Sequence, residues 1–126
     1  MKRIDDQVSG LKNFPLGRLI SEISAWFAIP DSDTVCILRV GGAGDRIWQY
    51  EQTLIQGKPL SVSMSDLATC AAADDEFFDL LYCRHDKVTF GIFDATFMFV
   101  QTADKKLEAA VAHSFLKVSE GPDYKL

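Results

Sequence analysis

Hydrophobic positions recur along this chain with two periods, and the changes of period mark its elements. Leu16, Leu19, Ile20, Ile23, Trp26 and Phe27 form one stripe at helical spacing, with Arg18, Ser21, Glu22 and Ser24 facing away. Pro15 opens this helix, where its missing N–H costs nothing, and Pro30 ends it. Thr34 to Val40 is a β-branched run that reads as a strand, followed by a glycine loop, Gly41-Gly42-Ala43-Gly44-Asp45. Arg46 to Ile55 fits both periods. Trp48, Tyr50, Thr53 and Ile55 favour a strand, whereas Ile47, Glu51, Leu54 and Ile55 suit a helix. The expectation here is a strand, the return arm of a hairpin closed by the glycine loop.

Gly57-Lys58-Pro59 is a turn. Ser65 is a candidate N-cap for a short helix through Ala72, and Asp66 in its first turn suits the helix dipole. Asp74-Asp75 breaks that helix, Phe77 to Cys83 is a strand, and Arg84-His85-Asp86-Lys87 is a polar turn. Val88 to Thr102 then gives two strands joined at Asp94-Ala95-Thr96. In the first, Val88, Phe90 and Ile92 share one face and Thr89, Gly91 and Phe93 the other. In the second, both Phe97/Phe99 and Met98/Val100 are apolar. A strand apolar on both faces belongs in the centre of a sheet, covered on both sides. Asp104 or Thr102 caps a last helix with Leu107, Ala110, Val111 and Phe115 on one face, and Leu116 to Ser119 is a candidate closing strand. The first dozen residues are polar and are expected to be loosely ordered.

Helices and strands do not alternate regularly, which argues against a doubly wound parallel sheet. The expected fold is a single α+β domain over residues 1–126. Its central sheet is mainly antiparallel, of about five strands, packed with an N-terminal and a C-terminal helix. At 126 residues there is room for one core.

Charge narrows the picture. The net charge of −5 disfavours nucleic acid or an anionic membrane as a direct partner. No apolar run approaches the roughly 18 residues of a membrane span. The N-terminus lacks the apolar stretch of a secretory signal, so a cytoplasmic location is expected. Cys36, Cys70 and Cys83 are odd in number and set in apolar surroundings, as buried thiols would be. From Pro59 to Cys83 there is no Lys or Arg, yet Asp66, Asp74, Asp75, Glu76 and Asp79 all fall there. Such a run is either a solvated acidic turn or a surface for a cationic partner, which would relieve the mutual repulsion.

Catalytic and cofactor patterns fail in detail. The glycine loop lacks the third glycine of a dinucleotide site, since position 47 is Ile, and Gly57-Lys58 is followed by Pro rather than Ser or Thr. A calcium loop starting at Asp74 would need glycine sixth and glutamate twelfth, but the residues are Asp79 and His85. Cys83 with His85, and His113 on the last helix, lack zinc spacing and read as a strand thiol, a turn residue and a helix-end cation. Asp94 suits its turn. No catalytic residue, cofactor or metal is expected.

Phe77-Phe78-Asp79 followed by Phe90-Gly91-Ile92-Phe93-Asp94-Ala95-Thr96-Phe97-Met98-Phe99-Val100 resembles a pattern in small bacterial immunity proteins of contact-dependent and polymorphic toxin systems. The resemblance spans residues 77–118. It implies a binding protein that neutralises a cognate toxin domain. Contacts vary within such families, so no site residue is carried over. Combined with the charge pattern, this gives an expected partner, a basic, nuclease-like toxin domain, and expected partner-binding residues Asp66, Asp74, Asp75, Glu76 and Asp79. Two alternatives stand beside it. One is a small enzyme or small-molecule binder with a pocket between the sheet and the first helix, lined by Trp26, Trp48, Tyr50 and His85. The other is a homodimer packed through the second apolar face of the sheet.

Overall fold

The computed structural model describes residues 1–8, 12 and 14–123. Along the chain lie β1 (Lys2–Ile4), α1 (Leu16–Trp26), β2 (Thr34–Ala43), α2 (Asp45–Ile55), β3 (Ser61–Ser63) and α3 (Met64–Ala72). They are followed by β4 (Phe77–Arg84), β5 (Thr89–Phe93), β6 (Phe97–Gln101), α4 (Lys105–His113) and β7 (Val118–Glu120). The strands form one antiparallel sheet in the order β3-β2-β4-β5-β6-β1-β7. The α+β class holds. The sheet has seven strands rather than about five. The expected strand at 46–55 is lost, and the candidate closing strand forms as β7. Two others, β1 and β3, three residues each, have too little pattern to be seen in sequence. One of them, β1, lies between β6 and β7, so the N-terminal segment is not loose throughout. Lys12 is anchored too, its ammonium donating to the Ala71 carbonyl at 3.0 Å and to that of Glu76. Residues 9–11 of that expectation lie outside the described residues.

The hairpin at Val88–Thr102 forms as its pattern requires. Asp94 and Ala95 both take positive φ, 47° and 53°, and the Thr96 N–H donates to the Phe93 carbonyl at 2.9 Å. Two left-handed residues in succession give a turn whose twist matches that of the strands.

α1 starts after Pro15 as expected but ends at Trp26, short of Pro30. Ala28 takes φ 51°, its N–H reaches the Ala25 carbonyl, and the Ile29 N–H reaches that of Ser24. This is a Schellman closure, and it takes up the last carbonyls before the proline. It leaves Trp26 half exposed (50%) rather than on the buried stripe.

Residues 46–55 are a helix, not a strand. Gly41 to Ala43 continue β2 instead of closing a hairpin, and Gly44 is the N-cap. Gly57 at φ 74° closes the C-terminus, its N–H donating to the Leu54 carbonyl and that of Lys58 to the Thr53 carbonyl. Ile47 and Tyr50 turn inward, and Leu54 packs against the core. The cap of α3 is Ser63, whose hydroxyl accepts the Asp66 N–H at 3.0 Å, rather than Ser65. Asp104 caps α4, accepting from the Lys106 and Leu107 N–H groups.

Buried residues of all four helices join one core with Ile37, Leu81, Cys83, Phe90, Ile92, Met98 and Val100 of the sheet. The helices therefore seal one face. On the other face, register places Arg39, Tyr82, Gly91, Phe99 and Arg3 in one row across β2, β4, β5, β6 and β1. The rings of Tyr82 and Phe99 meet over Gly91 with centroids 4.9 Å apart, and Phe93 stacks on Phe97 at 5.5 Å. The Arg3 guanidinium lies over Phe97 at 4.3 Å and that of Arg39 near Tyr82 at 5.9 Å. This second face has its own small core of Met1, Tyr82, Phe97 and Phe99, with Phe99 fully buried.

Candidate functional site

The acidic segment is assembled against the end of β2 and the start of α2. At Gly41/Gly42 the β2–β4 register slips, which leaves Asp79 as an extra residue in β4. Its carbonyl, out of the ladder, accepts the Ala95 N–H from the hairpin turn at 2.7 Å. The Asp79 carboxylate and that of Glu51 on α2 both approach Gly41, where a Cβ would lie 3.2 Å from one and 4.0 Å from the other. The Glu51 carboxylate also accepts the Gly42 N–H at 3.2 Å.

Glu76 has a different role from its neighbours. It is 5% exposed. One oxygen, Oε1, accepts the N–H groups of Arg46 and of Ile47, the latter at 3.1 Å. These are orphan donors of the first turn of α2, and a carboxylate there answers both the unpaired N–H groups and the positive end of the helix dipole. Gly44 carries no side chain of its own that could do this. Its φ of 134° and the position of Glu76 exclude one, since a Cβ at Gly44 would sit 1.6 Å from Glu76 Oε2. That Oε2 is buried without a hydrogen-bond partner. Glu76 is thus taken out of the surface set and made an external cap.

Asp66, Asp74, Asp75 and Asp79 are exposed. Asp75 joins Asp45, Arg46, Gln49, Thr69 and Glu76 around a shallow groove of about 320 Å³ between α2 and the 73–76 turn. Asp66 lies near enough to Tyr50 of α2 to act on its phenol electrostatically. Of the five expected acids, Asp75, Glu76 and Asp79 are thus brought to α2 and the end of β2. Sequence reasoning missed the helix itself. Trp48 (61% exposed) and Ile55 (74% exposed) stand seven residues apart on its outer side. The available signal was Asp45 at one end and Gly57-Lys58-Pro59 at the other, bracketing the 47/50/54 spacing.

Cys70, Cys83 and His85 are buried or paired, whereas the free thiol of Cys36 is half-buried. Burial pushes the Cys70 thiol up to about 11, with the Glu76 carboxylate adding to the effect, and holds Cys83 well above its ordinary value. Protonated buried thiols are poor nucleophiles. Burial, with Cys70 next in weight, raises the Tyr50 phenol to about 12. The ring of His85 pairs with Asp33, Nε2 to Oδ2, at 3.1 Å, and its Nδ1 accepts the Lys87 N–H at 3.3 Å. Among the described residues no cluster of three or more His, Cys, Asp or Glu is arranged to hold a metal, and no helix is long and apolar enough to cross a membrane.

The pocket expected from Trp26, Trp48, Tyr50 and His85 does not form as such. The two tryptophans face solvent, Tyr50 is in the core, and His85 is engaged by Asp33. A cavity of about 290 Å³ near the start of α1 is lined instead by Lys12, Phe14, Leu16, Phe77, Phe78 and Asp79, among others. Comparison with protein-family models, with curated proteins and with solved structures returned no significant match.

Proposed function

We propose that this chain is an immunity-type binding protein of the bacterial cytoplasm that neutralises a basic, nuclease-like toxin domain by covering it with an acidic surface. The observation that carries this reading is the gathering of Asp75 and Asp79 with Asp45 and Glu51 at α2 and the end of β2. Carboxylates on an interface rim steer encounter with a basic partner and make association salt-dependent. Burial of the free thiols of Cys70 and Cys83 and the pairing of His85 with Asp33 support binding over catalysis, while Cys36, expected to be buried, is half-exposed.

The test is to read the genes adjacent to this one for a toxin reading frame and to measure binding of its C-terminal domain to this chain. The absence of such a frame would count against the reading. Replacing Asp74, Asp75 and Asp79 together by Lys is expected to slow association and flatten its salt dependence. Replacing Glu76 by Ala is expected instead to lower stability by about 0.5–2 kcal/mol, the usual cost of a lost cap, with a smaller effect on affinity. Unchanged binding by the triple variant would remove the acidic-surface reading.

A second reading, small-molecule binding, rests on the cavity near α1. It is the weaker one. The cavity is at the lower limit of ligand-pocket volumes, and its ammonium, on Lys12, is already committed to two carbonyls.

A further inference from the structure

The outer side of α2 carries two of the large apolar side chains that the described residues leave in water, and the two share one helix face. The helix turns Ile47 (0% exposed) and Tyr50 inward and presents Trp48 and Ile55 outward. Their separation of seven residues puts them two turns apart on one side of the helix. Neither is needed by the core, which α2 already joins through Ile47, Tyr50 and Leu54.

The charge around Trp48 is mainly acidic, whereas the Ile55 end of the helix has the exposed Lys58 three residues on. Asp45 precedes Trp48 by one turn and Glu51 follows it by one turn. Asp79 approaches Gly41 together with Glu51, and the groove at the start of the helix sets the carboxylates of Asp45 and Asp75 beside one guanidinium, that of Arg46. Glu76 in that groove keeps one buried carboxylate oxygen without a hydrogen-bond donor. An aromatic anchor within a charged rim is the usual anatomy of an interface centre. The indole face also attracts Lys and Arg side chains.

We infer that α2, through Trp48 and Ile55, is the docking helix for a protein partner that presents lysine and arginine side chains around an apolar patch. The inference rests on the reading of this chain as a binder of a basic toxin domain, and it assigns to α2 the anchor that the acidic residues only surround. The carboxylates set the encounter and the two apolar side chains set the lifetime of the complex.

The experiment uses the full chain and the basic toxin domain sought in the adjacent genes. The absence of such a domain would overturn both this inference and the functional reading. Trp48→Ala with Ile55→Ser is expected to weaken binding by about 30-fold or more, mainly through faster dissociation. Circular dichroism and the thermal midpoint should stay close to those of the parent, because both side chains are exposed. Leu116→Ser, at an apolar residue 93% exposed near the far edge of the sheet, is expected to bind like the parent. In a Trp26→Phe background Trp48 is the sole indole, and its emission should shift to the blue and lose iodide quenching in the complex. Tight binding by the double variant, or an unshifted Trp48, would overturn the assignment of α2 while leaving the functional reading intact. A parent chain that does not bind the domain at low salt would overturn both.

Discussion

The two faces of the sheet are both sealed, by different means. On one face four helices supply the cover, and the sheet residues beneath them form a single core with α1, α2, α3 and α4. On the other, the sheet covers itself. Gly91 leaves room for the Tyr82 and Phe99 rings to lean together, and two arginines lie over the aromatic cluster. The difference shows that an apolar strand face does not by itself mark a binding surface. Phe99 is fully buried and Tyr82 is 2% exposed on a face without a helix, whereas Trp48 is 61% exposed on a helix that closes the opposite face.

The largest test of this comparison is a pair of truncations. If the second face is a true core, Phe99→Ala should cost as much stability as Phe90→Ala on the helix face, about 3–5 kcal/mol each, measured by urea unfolding. A loss below about 1 kcal/mol for Phe99→Ala would show that the second face is only surface. Next in size is Gly91→Ala. A Cβ there would lie 1.7 Å from the Leu81 carbonyl oxygen, so β4 and β5 must move apart. A destabilisation of about 1–3 kcal/mol or more is expected, with hydrogen exchange rising at the β4–β5 ladder first.

The smallest effect is specific to the helix face. Tyr50, Cys70 and Cys83 all belong to that core, and each is held protonated above its ordinary value. Their contribution to stability is fully present below the ordinary pKa values, 9.0 for the thiols and 10.0 for the phenol, and is lost as pH rises to about 11 and about 12. The urea midpoint should therefore fall on going from pH 9 to pH 12. Tyr50→Phe should reduce the upper part of that fall, and a slope unchanged by this substitution would count against the assignment.

Much of the fold is legible in the chain itself. The Val88–Thr102 hairpin, the stripe of α1 and the cap of α4 follow from spacing and from one or two local residues, because turns and caps are decided within a few positions of themselves. Local pattern fails where two periods fit equally well. Residues 46–55 are a helix because Ile47 and Tyr50 find a core there and because Glu76, some thirty residues away in sequence, accepts the first N–H groups of the helix. Nothing in the local sequence separates Glu76 from Asp75, yet one is a buried cap and the other a surface charge.

The candidate site divides in the same way. Composition by itself located the acidic stretch, since a run without Lys or Arg needs no partner to be recognised. Only the tertiary structure brought Asp75 and Asp79 to α2 and the end of β2, removed Glu76 from the surface and turned Trp48 and Ile55 outward. The physical reason is that charge is a property of the residue, whereas burial and helix capping depend on what distant parts of the chain place next to it.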